Sequence, residues 1–167
     1  ATPTVSPSPR TSSYLAFDAT RNKVVLFGGF GTFGGVDTWD WDGTNWTLLA
    51  SPASPSREDH SLTYDPMTER MISFSGAIRD GQAAVQETWE WDGFRWNQLF
   101  PSASPSARRE HAVVYDRARQ VMVLFGGWKS LTANREQDTW EWTGSTWVER
   151  TPAQSPPPRS NHGMAYD

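Results

Sequence analysis

Residues 37–46 have the sequence Asp-Thr-Trp-Asp-Trp-Asp-Gly-Thr-Asn-Trp, and two near copies of this stretch follow at 87–96 and 138–147. Each copy begins with an acidic residue and a Thr, places two Trp at alternate positions, and ends on a third Trp after a turn sequence. Alternation is typical of a β-strand, and the Asp-Gly of the first two copies favours a tight turn. The stretch therefore predicts a β-hairpin that recurs about every 50 residues.

Two further patterns recur in fixed order before each hairpin and predict two more strands. An Arg opens the first of these strands and an aromatic-Asp pair closes it: Arg10 with Phe17-Asp18, Arg57 with Tyr64-Asp65, Arg108 with Tyr115-Asp116, and Arg159 with Tyr166-Asp167. The second is an apolar run that ends in small residues, at 24–29, 71–76 and 123–127. Each repeat thus contains four strands, called A to D. The Pro-rich joins between repeats cannot extend a sheet.

The patterns divide one domain, residues 1–167, into three repeats and one additional strand A. The repeats span 10–50, 57–100 and 108–150, and the extra strand spans 159–167. A chain of this length forms a single domain with a substantial core. A net charge of -4 provides no basic field, so nucleic acid and membrane surfaces are not expected partners. The absence of Cys excludes disulfides and thiolate chemistry, and we expect no cofactor.

The Gly-Gly after strand B, the aromatic residue in strand C and the Trp in strand D resemble the kelch motif. The wording Glu-Thr-Trp-Glu-Trp-Asp-Gly at 87–93 is most similar to the Trp-rich bacterial version. The resemblance covers the chain from Arg10 onward, although Ser75 replaces a Gly and Ser13 stands where the later repeats have His. It implies an all-β, kelch-type β-propeller with three four-stranded blades and strand A innermost. It also favours an extracellular or cell-surface bacterial location, which the residues themselves leave open.

Two patterns suggest site chemistry, and both have a structural explanation. Residues 29–34 fit the G-x-G-x-x-G pattern of dinucleotide sites, but a strand follows them where a helix is required. His60, His111 and His162 occupy equivalent positions in different repeats, and a ring of blades separates such positions. We therefore expect no metal site, no catalytic residues and no enzymatic activity.

The loops between strands B and C are the predicted binding surface. They differ in sequence from repeat to repeat while the A–B and C–D turns keep their length, and variable loops on a rigid scaffold usually carry binding. The candidate contact residues are Phe30, Phe33, Arg79, Asp80, Trp128, Lys129, Asn134 and Arg135. The expected ligand is a protein or peptide. A carbohydrate stacked on Phe33 and Trp128 is the main alternative, and a fragment or engineered half-propeller without a ligand is the third.

The remaining repeated residues are predicted to be structural. Arg57 and Arg108 are expected to pair with the acids that open strand C, which are Asp37, Glu87 and Asp138. Six Trp are expected to pack within or between blades: Trp41, Trp46, Trp91, Trp96, Trp142 and Trp147.

The count of strands predicts that two chains associate. Three blades leave two apolar faces open to water, whereas propellers usually have four to eight blades. Two chains around a two-fold axis would form a six-bladed ring, of which each chain supplies half. Strand 159–167 of one chain is expected to displace strand 10–18 of the other as the innermost strand of its first blade.

Overall fold

The computed structural model describes residues 5–31, 35–49, 54–78, 83–129 and 134–167. These residues form strands and turns, and no helix occurs among them. Each of the three repeats folds into its own four-stranded antiparallel sheet, with the strands side by side in chain order. The predicted all-β class and the repeated four-stranded sheets are confirmed.

The strands have the following bounds. Sheet 1 contains β2 (Tyr14–Asp18), β3 (Lys23–Phe27), β5 (Thr38–Trp41) and β6 (Trp46–Leu49). Sheet 2 contains β7 (Ser61–Asp65), β8 (Arg70–Phe74), β9 (Thr88–Trp91) and β10 (Trp96–Leu99). Sheet 3 contains β11 (Ala112–Asp116), β12 (Val121–Phe125), β15 (Thr139–Trp142) and β16 (Trp147–Arg150). Two short pairs join β1 (Arg10–Thr11) to β4 (Phe30–Gly31), and β13 (Trp128–Lys129) to β14 (Asn134–Arg135).

The strand predicted at 159–167 is not formed. Every other strand A pairs with the strand B that follows it, as β2 does with β3, and within these 167 residues no such strand follows Asp167. The segment is nevertheless attached to sheet 3 by its first residues. The Gly127 amide donates to the Arg159 carbonyl at 2.9 Å, and the Asn161 amide donates to the Glu110 carbonyl at 2.8 Å. In this single chain, β2 completes sheet 1.

Each sheet has two chemically different faces, because successive strand residues point to opposite sides. We call the side that carries the strand-D Trp the tryptophan face, and the side that carries the strand-C Thr the threonine face. On sheet 2 these residues are Trp96 and Thr88. The threonine face of sheet 1 packs on the tryptophan face of sheet 2, and the threonine face of sheet 2 packs on the tryptophan face of sheet 3.

The two interfaces between sheets use the same contacts. At the first, the Trp96 Nε1–H donates to Thr38 Oγ1 at 2.9 Å, and the Trp96 ring centroid lies 4.2 Å from that of Phe27. At the second, the Trp147 Nε1–H donates to Thr88 Oγ1 at 3.1 Å, and its ring packs against Phe74. A buried indole that keeps its hydrogen bond adds apolar contact area without an unpaired polar group. The sequence motif of Thr in strand C and Trp in strand D therefore specifies which faces meet.

The predicted packing of the six Trp follows from these interfaces. Four of them are buried: Trp91, Trp96, Trp142 and Trp147. The other two, Trp41 and Trp46, lie on the tryptophan face of sheet 1 and are only half-buried. They pack against each other, with ring centroids 5.5 Å apart.

Candidate functional site

One end of the three sheets is formed by the B–C loops and the joins between sheets, and we call it the loop rim. Here each join pairs with the loop of the sheet that follows it. The paired residues are Thr11 with Phe30, Glu58 with Ala77, and Arg109 with Trp128. The predicted binding loops are thus held by backbone hydrogen bonds where they leave their sheets.

A buried arginine beneath each loop fixes the join to the sheet. Arg108 is fully buried and forms a bidentate pair with Asp138, at 2.6 Å to Oδ1 and 2.7 Å to Oδ2. Its other N–H groups donate to the Gly126 carbonyl and to the carbonyl and hydroxyl of Ser106. All five N–H donors of the guanidinium therefore have acceptors, which offsets the cost of burying its charge. Arg10 contacts Asp37 in the same way.

Arg57 forms a less complete version of this contact. Its Nη2 donates to Glu87 and its Nη1 to the Ser56 carbonyl, while its buried Nε has no partner among the described residues. The Arg57 carbonyl accepts from the Gly29 amide of sheet 1 at 2.8 Å. Arg57 therefore connects sheet 1 through its backbone to sheet 2 through its side chain. Arg108 connects sheets 2 and 3 likewise, because its carbonyl accepts from the Gly76 amide at 3.0 Å.

The acid that opens each strand C has a second partner in the Trp two residues later. The indole N–H groups of Trp39, Trp89 and Trp140 each donate to the acid of their own sheet at 2.7 or 2.8 Å. Burial alone would raise the pKa of Asp138, but hydrogen bonds from Arg108 and Trp140 outweigh it and hold that pKa below its usual value. The carboxylate is therefore ionised at neutral pH, and it accepts hydrogen bonds from both Arg108 and Trp140 at the base of the loop.

The loop of sheet 3 begins and ends with two short strands that pair with each other. There β13 and β14 form a small hairpin, and the Arg109 guanidinium carbon lies 4.1 Å from the centroid of the half-buried Trp128 ring. Lys129 Nζ lies 3.1 Å from Glu136 Oε1, while Arg135 is exposed. A cation over an indole face is attractive and fixes the ring plane. The hairpin thus presents a cationic and aromatic surface.

The predicted contact residues are only partly brought together. Four of them lie on the sheet 3 hairpin: Trp128, Lys129, Asn134 and Arg135. Phe30 lies on β4 beside sheet 1 and is 51% exposed. Phe33, Arg79 and Asp80 lie outside the described residues.

Sequence reasoning did not identify Arg109 as part of this surface. Arg108 was recognised because an Arg recurs at that position, whereas Arg109 has Glu58 and Thr11 as its counterparts. The available signal was the neighbouring pair of arginines in the join to sheet 3. Only one of them can occupy the buried position of Arg108, and Arg109 instead lies half-buried over the Trp128 ring.

A second feature that sequence reasoning missed is a cavity of about 530 Å³ at the opposite end of the sheets. Its walls include the aromatic residues that precede the repeated Asp, which are Phe17, Tyr64 and Tyr115, together with Met67 and Arg117. The repetition of an aromatic residue at this position was visible in the sequence. What it did not reveal was that three different sheets bring these rings to one cavity.

The repeated histidines lie between sheets. His60 and His111 are buried, and their rings pack edge-on against Phe27 and Phe74, with centroids 5.0 and 5.6 Å apart. Burial lowers the pKa of each to about 3, so both are neutral at physiological pH. In the part of the chain that the structure describes, no three His, Asp or Glu side chains are grouped in a way that could hold a metal ion.

Comparisons with known proteins give no family for this chain. No protein-family model matches it, and a search of curated proteins finds no match. The described part of the chain contains no helix that is long and apolar enough to cross a membrane.

Proposed function

We propose that the chain is part of a kelch-type β-propeller, with the three sheets as blades, and that it is a non-catalytic module that binds a protein or peptide on the loop rim. The repeated Trp-to-Thr contact between successive sheets supports the propeller arrangement, since the same geometry applied from sheet to sheet turns about one axis. The surface formed by Arg109, Trp128, Lys129 and Arg135 supports the binding role.

The chemistry of this surface favours an acidic peptide segment. Arg109 and Arg135 provide planar guanidinium groups that suit carboxylates. Among the described residues, Glu136 contacts Lys129 and so offsets the charge of that side chain. Trp128 adds an apolar anchor of the kind that is enriched at binding hot spots. A sugar would need an open indole face, and Arg109 already covers one face of Trp128.

The test uses a displayed library of short random peptides, panned on the intact chain, and a glycan array probed in parallel. We expect the enriched peptides to be rich in Asp and Glu. Trp128→Ala and Arg135→Glu should each weaken their binding about tenfold or more, because one removes the anchor and the other reverses a contact charge.

The matched control is Phe94→Ser, because Phe94 is 79% exposed on a C–D turn at the opposite end of the sheets. It should leave binding unchanged. Enrichment without acidic residues, peptide binding that survives Arg135→Glu, or capture of glycans in place of peptides would each contradict the proposal.

A further inference from the structure

Two sheet faces carry the side chains of the buried interfaces but contact no further sheet among the described residues. The first is the tryptophan face of sheet 1, where Leu15 and Leu48 are 53% and 55% exposed and Trp46 is half-buried. The equivalent face of sheet 2 is covered by sheet 1, and there Leu62 and Trp96 are 7% and 3% exposed. The residue types are those of an interface, but no sheet of the described residues covers them.

The second such face is the threonine face of sheet 3. It contains a cavity of about 670 Å³ lined by Val121, Val123 and Thr139, together with Glu141 and the two arginines that pair with it, Arg119 and Arg150. On sheet 2 the equivalents of Val123 and Thr139 are Ile72 and Thr88, which the strand-D Trp of sheet 3 covers.

The two open faces have complementary hydrogen-bonding groups. Thr139 Oγ1 has no Trp partner among the described residues, and the Trp46 Nε1–H has no Thr partner, although this contact is made at both internal interfaces. A second pair of groups matches in the same way. Arg21 in the A–B turn of sheet 1 donates to the Asp92 carbonyl in the C–D turn of sheet 2 at 2.5 Å.

The counterparts of that second pair are also available. Arg119 stands in the A–B turn of sheet 3, where its Nε and Nη1 contact Asp116 and Glu141 and its Nη2 has no partner among the described residues. The corresponding carbonyl belongs to Asp42, in the C–D turn of sheet 1.

Arg159 is the third group that makes only part of the contacts made by its equivalents Arg57 and Arg108. Its carbonyl accepts from the Gly127 amide at 2.9 Å, as the Arg57 carbonyl does from Gly29, so its backbone is attached to sheet 3 in the same way. Its guanidinium, however, reaches only the Pro157 carbonyl and no carboxylate in the described part of the chain. Arg10 has the opposite deficiency, because its side chain contacts Asp37 but its carbonyl accepts from no amide of another four-stranded sheet among the described residues.

We propose that two copies of this chain associate head to tail, with the threonine face of sheet 3 of each copy packed on the tryptophan face of sheet 1 of the other. In the joint, Arg159 of one copy replaces Arg10 at Asp37 of the second copy. Both joints are equivalent by the two-fold axis, so the assembly closes without a free face. This inference rests on the proposed propeller arrangement and not on the proposed ligand.

The first experiment measures the mass of the chain in solution at micromolar concentration. One chain has a mass of 18.8 kDa, so we expect about 38 kDa. Val123→Asp and Leu48→Asp each place a charge on one of the open faces and should each yield single chains. Phe100→Asp is the control, because Phe100 is 84% exposed outside both faces, and it should remain a dimer.

An equimolar mixture of the two face variants distinguishes a blocked joint from a misfolded chain. Val123→Asp keeps an intact tryptophan face and Leu48→Asp an intact threonine face, so the mixture should form a dimer through one joint although neither variant does so alone. Single chains for the unchanged protein, or for the mixture, would overturn the proposal. Peptide binding to a single chain would still be measurable, so failure here is distinct from failure of the ligand proposal.

The exchange of arginines is tested by two matched variants. Arg159→Gln should weaken the dimer about tenfold, because it removes a charge-assisted pair across the joint. Arg10→Gln removes the competitor for Asp37 and should leave the dimer as tight or tighter. The reverse result, in which only Arg10→Gln weakens the dimer, would overturn the exchange.

Discussion

The tryptophan faces of sheets 1 and 2 share their three Trp positions and a Leu in strand A, and they differ in what covers them. Trp96 of sheet 2 is 3% exposed beneath Phe27 and Thr38, whereas Trp46 of sheet 1 packs against Trp41 and is half-buried. The difference shows that the repeated pattern specifies half of an interface. Burial, hydrogen bonding and stability follow only when the complementary half is present. Substitutions at equivalent residues of a covered and an open face therefore measure what the second half contributes.

The largest expected difference is between the two Trp themselves. Trp96→Ala should lower the free energy of unfolding by about 3 to 5 kcal/mol, because it empties a buried site between two sheets. Trp46→Ala should cost much less in dilute solution, where its face is open. Urea unfolding of both variants checks this, and equal costs at low concentration would contradict the comparison. A cost for Trp46→Ala that grows with protein concentration would place that residue in the joint between copies.

A smaller effect is expected from the histidines as the pH falls. Burial, together with Arg57 beside His60 and with Arg108, His60 and His162 around His111, holds the pKa of both buried rings at about 3, below the unfolded value of about 6.5. Protonation thus favours the unfolded chain. The stabilisation from each ring is complete above pH 6.5 and is lost progressively as the pH falls toward 3, by about 1.4 kcal/mol per pH unit at most.

The measurement is the free energy of unfolding between pH 6.5 and 4.5. Asp138, whose attraction opposes the other charges at His111, has a pKa below its usual value and stays ionised in this window. His111→Gln should remove about half of the slope. His162 is only half-buried, with its pKa lowered by partial burial and Arg159, so His162→Gln should change the slope less. An unchanged slope in His111→Gln would show that other groups cause it.

The smallest effect concerns one hydroxyl. Thr88→Val leaves the buried Trp147 Nε1–H without an acceptor and should cost about 1 to 3 kcal/mol. Thr139→Val changes the equivalent hydroxyl on the open face, where no indole is present, and should be nearly neutral in the single chain. Thermal unfolding of both variants at low concentration provides the test. A destabilisation by Thr139→Val as large as that by Thr88→Val would mean that its hydroxyl has another partner.

The sequence predicted the strands and the arginine–acid contacts because both repeat with the sheet. Arg108 could be assigned in advance to one of the acids that open strand C, since the start of strand A and the start of strand C lie at the same end of a sheet, and the structure pairs it with Asp138. The bond from Trp147 to Thr88 could not, because it joins different repeats and depends on how the sheets are rotated against each other. Repetition therefore reveals contacts within a sheet more readily than contacts between sheets.

The candidate site was less predictable for the opposite reason, which is that its residues do not repeat. The stacking of Arg109 on Trp128 exists in one loop only and has no second copy to indicate it. The missing strand at 159–167 teaches a related point. Its alternation of His162, Met164 and Tyr166 matches the other copies, but a strand pattern forms a strand only beside a partner with free backbone groups.

The position of Arg57 has a consequence for the order in which parts of the chain open. Its backbone is bound to sheet 1 and its side chain to Glu87 of sheet 2, so opening either sheet at this end breaks a contact of Arg57. The cooperative units of the chain are therefore the overlaps between adjacent sheets, as in an array with nearest-neighbour coupling. Protection of the Gly29 amide against hydrogen exchange, although that amide belongs to the first repeat, is thereby tied to the integrity of the second.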